Sequence, residues 1–377
     1  MTMNPTEISQ IFHSWPVQNG IVVLLLCGGC LLAWRLGRRT YWRTAAKEVF
    51  HSRCATICFW ILVVYFLIGL LDSVGWRRPI RDEAGMPLKN AMGKFIYDNG
   101  ASALDYLLLP LSRKKERSYS APLAKEEFTQ SMARGQNGIL KRERLPLKYP
   151  GSHLLGTDII GRDVLVDALK SVRTGLIIGF LTTLLAIPFA LLLGMAAGYY
   201  GGVVDDGVQF VCAVLSSVPS ILLIASVMVL AGPGLLQLCI AMGLTSWTGL
   251  CRLLRGETLR LRESDYVQAS VGLGVSSWRI ILRHILPNVL HLVLINMVLR
   301  FSGEVLAEAA LTYLGIGVGA ETMSWGTMIN DARTELTRSP VIWWKLTGAF
   351  VFMLGLVLPA NLFGDAVRDA LDPRLRK

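Results

Sequence analysis

The chain has 377 residues, 53% hydrophobic and only 17% charged, with a mean hydropathy of +0.47. A soluble domain carries roughly a quarter charged residues, so the balance points away from a soluble enzyme and toward the membrane. The formal net charge of +11 sits on no recognisable nucleic-acid reading module. It reads instead as an excess of Lys and Arg serving cytoplasmic loops and lipid headgroups.

In chain order, seven apolar stretches approach the roughly 20 residues that a helix needs to cross the hydrocarbon core. They are 16–34, 54–75, 174–198, 208–231, 234–253, 288–314 and 342–363. Unpaired backbone groups are not tolerated in lipid, so these runs are expected to be helical. The expected fold class is an all-α membrane protein of about seven transmembrane helices, with a core of five, additional N-terminal spans and an external insertion. The first run has no Lys or Arg ahead of it, and Ala33-Trp34-Arg35 is not a small-residue cleavage site, unlike a cleaved signal peptide. Its Cys27-Gly-Gly-Cys30 spacing is assigned to helix packing, because no thioredoxin-like strand surrounds it. The seven cysteines all lie in or beside apolar stretches, which argues against an extracellular disulfide framework.

Charge sets the expected orientation. Residues 1–16 contain Glu7 and no cation, whereas the loop after the first run holds Arg35, Arg38, Arg39, Arg43, Lys47 and Arg53. The positive-inside rule places that loop in the cytoplasm and the N-terminus outside. Threading onward puts 76–173 outside, 254–287 inside and the C-terminus, ending Arg374-Leu-Arg376-Lys377, inside. The chain divides accordingly into an extra N-terminal span with its basic loop (1–50), a second helix (51–75), an external insertion (76–153) and a core (154–377). The insertion, punctuated by six prolines from Pro79 to Pro150, reads either as a partner-contacting subdomain or as a solvated spacer.

Catalytic signatures are missing from the sequence. There is no phosphate-binding loop, Gly93-Lys94-Phe95 lacking both spacing and hydroxyl, and no His/Cys grouping with metal-ligand spacing. No metal site and no bound cofactor are expected. The intramembrane charges Arg300, Glu304 and Glu308 share one helix face at spacings of four, where Arg300 and Glu304 can pair. They are candidates for ion coupling. Gly175/Gly179 and Gly194/Gly198 have the GxxxG form of close helix contacts. Pro188 and Pro219 are expected to kink their spans, either lining a pathway or merely shaping a bundle.

The most informative stretch is the expected cytoplasmic loop 254–287. Tyr266, Ala269, Ser270 and Leu273 follow three-four spacing, and Gly274 is placed to stop that short helix in a left-handed cap. Ser276 or Ser277 can then cap a second helix with an apolar face of Trp278, Ile281, Leu282 and Ile285, beside a basic face of Arg279 and Arg283. Pro287 follows where the chain re-enters the bilayer. Two angled helices of this kind suit either a groove on a cytosolic partner or an interfacial amphipathic loop.

At this loop the sequence resembles the EAA loop of ABC importer permeases. The matching positions are Gln268-Ala269-Ser270, Gly274 and Leu286-Pro287, with Gln268 and Ser270 departing from the eponymous residues. Gly156-Thr157-Asp158, followed by Gly161-Arg162-Asp163, is similar to the LGTDxxGRDVL signature of the dipeptide/oligopeptide/nickel permeases. Glu308-Ala-Ala-Leu-Thr-Tyr-Leu-Gly315-Ile-Gly317, Ser324-Trp-Gly326 and the tail from Gly364 resemble further stretches of the second permease of that family's pair. The extra N-terminal span and the length of the external segment depart from the usual pattern.

The resemblance implies a bacterial inner-membrane permease paired with a second homologous permease. Two cytosolic ATPase subunits would bind ATP and Mg, and an extracytoplasmic substrate-binding protein would deliver the solute, with peptides the commonest cargo. It also implies that Tyr266, Gln268, Ala269, Ser270, Gly274, Arg279, Arg283, Leu286 and Pro287 form the ATPase-coupling loop. Membrane lipid is the remaining expected partner, and nucleic acid is not one. The competing readings are an ion-coupled carrier or channel acting alone and a membrane scaffold without transport.

Overall fold

The computed structural model describes Asn19 and residues 40–76, 101–134, 140–319 and 321–371. The first apolar run, apart from Asn19, and the Cys27/Cys30 pair therefore lie outside the described residues. Those residues are predominantly helical and divide into two compact units, each assembled from separate stretches of chain.

The first unit includes Val63–Arg173 and Asp331–Phe352. Helix α1 (Thr40–Val49) precedes α2 (Arg53–Ser73), which carries no charged side chain from Cys54 to Leu71. Directly after α2, strand β1 (Gly75–Trp76) pairs antiparallel with β2 (Ala101–Ser102). Two short helices follow, α3 (Ala103–Leu107) and α4 (Leu109–Ser112). Ser102 starts α3 with a reciprocal capping box: its hydroxyl accepts the Asp105 amide, and the Asp105 carboxylate accepts the Ser102 amide. Strands β3 (Ser131–Arg134) and β4 (Leu140–Glu143) form a hairpin. The stretch expected as an insertion thus has secondary structure of its own, built from pieces too short for periodicity to reveal.

The second unit contains Thr174–Asn330, Ala45–Leu62 and the chain after Met353. Helix α5 (Val164–Tyr200) is 37 residues long, with Pro188 inside it and no charged residue from Thr174 onward. Helices α6 (Gly202–Ser217) and α7 (Ser220–Ala231) meet at Pro219 with a bend of 88°. The proline was expected to kink one span; it breaks it, because Pro219 cannot donate an amide and its predecessor is pushed out of the helical region. The stretch 234–253 runs through α8 (Leu235–Ser246) and the start of α9 (Thr248–Arg262), which adjoin at Trp247, itself in the right-handed helical region. Helix α9 carries Arg252, Arg255, Arg260 and Arg262, so the uncharged stretch ends at Cys251. Beyond the loop come α12 (Leu286–Tyr313), α13 (Trp325–Leu336) and α14 (Trp344–Leu371). Between α9 and α12 lie α10 (Asp265–Gly272), α11 (Ser277–Ile280) and a π-helical turn, Ile281–Ile285. Among the described residues, four continuous helices are long and apolar enough to cross a membrane, five if the bent pair counts as one span.

Glycines set the closest helix approaches in this unit. A Cβ on Gly194 or Gly198 would lie 2.7 Å from the carbonyl oxygens of Cys251 or Arg255, so α5 and α9 meet backbone to backbone. Gly175 packs on the ring of Trp325, and Gly179 on that of Phe301. Both GxxxG pairs therefore have identified neighbours. Replacing Gly198 with Val should cost about 1–3 kcal/mol through overpacking. Gly207→Ala, at a position whose Cβ would meet nothing within 4 Å, should cost little. Thermal unfolding of the purified chain in detergent checks the contrast, with a clear fall in Tm for Gly198→Val alone.

Candidate functional site

The cytoplasmic-loop candidate is built by two terminations and one widening of the helix. Helix α10 ends in a Schellman motif. The Gly274 amide donates to the Val271 carbonyl (2.9 Å) and the Val275 amide to the Ser270 carbonyl (3.1 Å), with Gly274 at φ +74°. An L-residue there pays roughly 1–2 kcal/mol for the left-handed backbone, although no neighbour within 4 Å would obstruct its Cβ. Ser276 occupies the cap of α11, as spacing predicts, but its side chain makes no capping hydrogen bond.

The second loop helix differs from expectation. It does not stop before the bilayer: α11 passes through the π turn into α12 and forms one helical rod, Ser277–Tyr313. Pro287 lacks an amide hydrogen, and its ring crowds the preceding turn; widening the helix at 281–285 accommodates both without a break. The widening brings Ile285 round to the side of Ile280, five residues earlier, so the expected apolar face divides. Ile280, Ile281 and Ile285 are buried, whereas Trp278 and Leu282 are exposed, alongside Leu273 at 84% exposure. Val267 anchors α10 inward, while Gln268 and Ala269 face outward. Arg279 and Arg283 are also exposed, as the basic face requires.

Polar contacts fix the loop to its supports. Asn288 Nδ2 donates to the Tyr266 hydroxyl (3.2 Å) and to the His284 carbonyl (2.7 Å), tying α10 to the start of α12. Gln268 Nε2 donates to the Arg262 carbonyl, and Ser270 Oγ to the Tyr266 carbonyl. The arginines of α9 are spent internally. Arg255 chelates Asp205 through two nitrogens. Arg252 donates to the Cys212 carbonyl and Ser216 Oγ, and Arg262 to the Tyr199 carbonyl. Spacing did not single out these residues; the intervals of three and seven between Arg252, Arg255 and Arg262 are the signal that marks one helix face.

The intramembrane candidates do not assemble as expected. Arg300 donates to the Ser246 carbonyl, and no Arg300–Glu304 ion pair forms among the described residues. Glu308 is fully buried, accepts from the Thr312 hydroxyl at 2.8 Å and lies against Gly326. Its neighbourhood is the junction of α12 with α13, where Ser324 and Thr327 cap the latter reciprocally. The helix before this junction closes with a second Schellman motif at Gly315.

The 156–163 signature is a turn whose polar groups are satisfied locally. Thr157 Oγ1 accepts the Ser120 amide (2.7 Å) and donates to the Ser118 carbonyl. Asp158 accepts the amides of Ile160 and Arg162 and pairs with the Arg162 guanidinium. Asp163 accepts the Leu165 amide, capping α5, and binds His153 at 2.9 Å. The Thr157 carbonyl accepts from Trp344 Nε1. Nearby, burial raises the Tyr119 phenol to about 12, reinforced by the Glu335 carboxylate, and burial likewise raises Glu335. Gly156 and Gly161 have φ of +72° and +73°, and a Cβ on Gly161 would lie 1.9 Å from the Glu116 carbonyl oxygen. Gly161→Ala is accordingly expected to loosen this unit without removing any polar group. Limited proteolysis of membrane vesicles should show cleavage in 101–163 about tenfold faster than in wild type, as a loss of about 1–2 kcal/mol implies.

Residues 190–377 match the family described as binding-protein-dependent transport system inner membrane component. The oligopeptide transport system permease protein OppC of Bacillus subtilis is 36% identical over 239 residues, 63% of this chain and 76% of the relative.

The chain belongs to this family of ABC importer permeases.

A dipeptide transport system permease protein, DppC of Lactococcus lactis, is 31% identical over 335 residues, 89% of this chain and 91% of the relative. That match reaches well ahead of residue 150, so the longer N-terminal part has a counterpart there. Among solved structures, inward-facing MetNI methionine ABC transporter is similar at TM-score 0.42 and 16% identity, over 55% of this chain and 95% of that one. Members of the family are permease subunits of bacterial inner membranes that work with ATPase partners and a substrate-binding protein.

Proposed function

We propose that this permease carries peptides or related small solutes and is driven through the loop around Gly274. The observation that carries the coupling assignment is the exposed apolar edge formed by Ala269, Leu273, Trp278 and Leu282. It sits on a turn held rigidly by the Schellman cap and the Tyr266–Asn288 hydrogen bond. Such an edge fits a groove on a cytosolic ATPase. Because α11 and α12 form one rod, a push on Trp278 moves the membrane helix with it, as rigid-body switching requires.

In this reading two ATPase subunits hold ATP and Mg, a second homologous permease completes the pathway, and a binding protein delivers cargo. This chain binds no cofactor and catalyses no reaction. The peptide assignment draws on the relatives' names, which include oligopeptide and dipeptide permeases. Orientation follows the charge distribution, with the 254–287 loop and the C-terminus cytoplasmic and the N-terminus extracytoplasmic. Arg300 donates to the Ser246 carbonyl of α8 and makes no ion pair with Glu304 among the described residues, so the ion-coupled carrier draws no support from that pair.

Gly274→Val should reduce ATP-dependent uptake in reconstituted vesicles roughly tenfold or more while leaving insertion intact, since the β-branched residue cannot hold the left-handed cap. Gly274→Asn, which tolerates that conformation, should retain most of it. Ala269→Asp should uncouple as Gly274→Val does, because it places a carboxylate on the docking edge. Equal uptake by all three variants would refute the assignment.

A further inference from the structure

The uncharged stretches of α2 and α5 end at one level. Helix α2 is free of charge up to Leu71 and α5 from Thr174 onward. At that boundary Arg173 pairs with Asp72 at 3.7 Å. Two more contacts pin α3 to the same height: Ser102 Oγ donates to Asp72 (2.8 Å), and Lys170 Nζ binds Asp105 (2.7 Å). Strand β1 begins only two residues after the end of α2 and pairs with β2, so α3, which follows β2 directly, starts at this level.

What this pinned segment presents is amphipathic. The rings of Trp76 and Tyr106 stack at 4.9 Å, and Leu107 beside them is 64% exposed. Stacked aromatics at the end of a span are typical of the headgroup layer. Directly after α4 comes Arg113-Lys114-Lys115-Glu116-Arg117. Its acid is turned inward, with Glu116 accepting the amides of Lys148 and Tyr149 (3.0 and 2.7 Å). Arg113, Lys115 and Arg117 are exposed. None of the run's cations joins an ion pair among the described residues. Removing the one carboxylate from the outer face leaves a purely cationic edge next to an apolar one.

We propose that residues 103–117 lie in the headgroup layer of the leaflet where α2 ends, with Trp76, Tyr106 and Leu107 at the acyl boundary and the 113–117 cations on the phosphates of anionic phospholipids. The anchor holds this end of α2 and α5 at a fixed depth, and it does not depend on what the permease carries. A short apolar patch with adjacent Lys and Arg combines the two attractions that interfacial segments use.

The test is hydrogen–deuterium exchange of the full chain, with its partner subunits, in nanodiscs. In phosphatidylglycerol discs, peptides covering 103–117 should exchange about fivefold or more slowly compared with phosphatidylcholine discs, each cation near an anionic surface being worth a factor of that order. Arg113→Gln/Lys115→Gln/Arg117→Gln should abolish the difference, and Trp76→Ser should raise exchange in both lipids. Equal exchange in the two lipids, or a difference that survives the triple substitution, would overturn the anchor. Protection by glycerol phosphate added to phosphatidylcholine discs would overturn it too, by marking a soluble-anion site.

Discussion

Pro287 is the constraint on which the coupling geometry rests. A residue with no amide hydrogen stands where the loop meets the membrane helix, and a plain α-helix would lose a hydrogen bond and kink there. The chain instead widens into a π turn at Ile281–Ile285 and continues, so loop and span are one body. The same widening brings Ile285 round to the buried side of Ile280 and Ile281, while Trp278 and Leu282 stay exposed. One local adjustment therefore preserves the lever that carries the surface on which a partner would push.

The rod needs a fixed support, and α9 supplies it. Gly194 and Gly198 let α5 approach its backbone closely. The α9 arginines then secure the turn between α5 and α6 by binding Asp205 and the Tyr199 carbonyl. Much of the positive charge in this part of the chain is consequently structural as well as topological. A second division of labour marks the 101–163 region, where the buried acids Glu116, Asp158 and Asp163 are bound to backbone amides and the cations are left outside.

Much of this was legible in the residues. The left-handed cap at Gly274 followed from a glycine after a three-four pattern, and the long spans followed from their uninterrupted apolar runs. The 156–163 signature carried the family, but the reason for its residue types appeared only when its partners, Ser118, Ser120 and Trp344, came together from distant parts of the chain. Three features escaped. The break at Pro219 is as sharp as 88°, where hydropathy reports only an apolar run. The face of 277–285 departs from three-four spacing because that spacing assumes 3.6 residues per turn, and the π turn carries Ile285 away from the side of Trp278. Arg300 and Glu304 satisfy the spacing for an ion pair, yet the guanidinium is drawn to the Ser246 carbonyl, a competitor that one helix's spacing cannot show.

The most direct measurement is purification of this chain in mild detergent, with the accompanying subunits identified by intact mass and solute uptake measured after reconstitution. A second permease and ATPase subunits in stoichiometric amounts, with uptake strictly dependent on ATP, is the predicted result. A chain that purifies alone and moves solute in vesicles without ATP would contradict it.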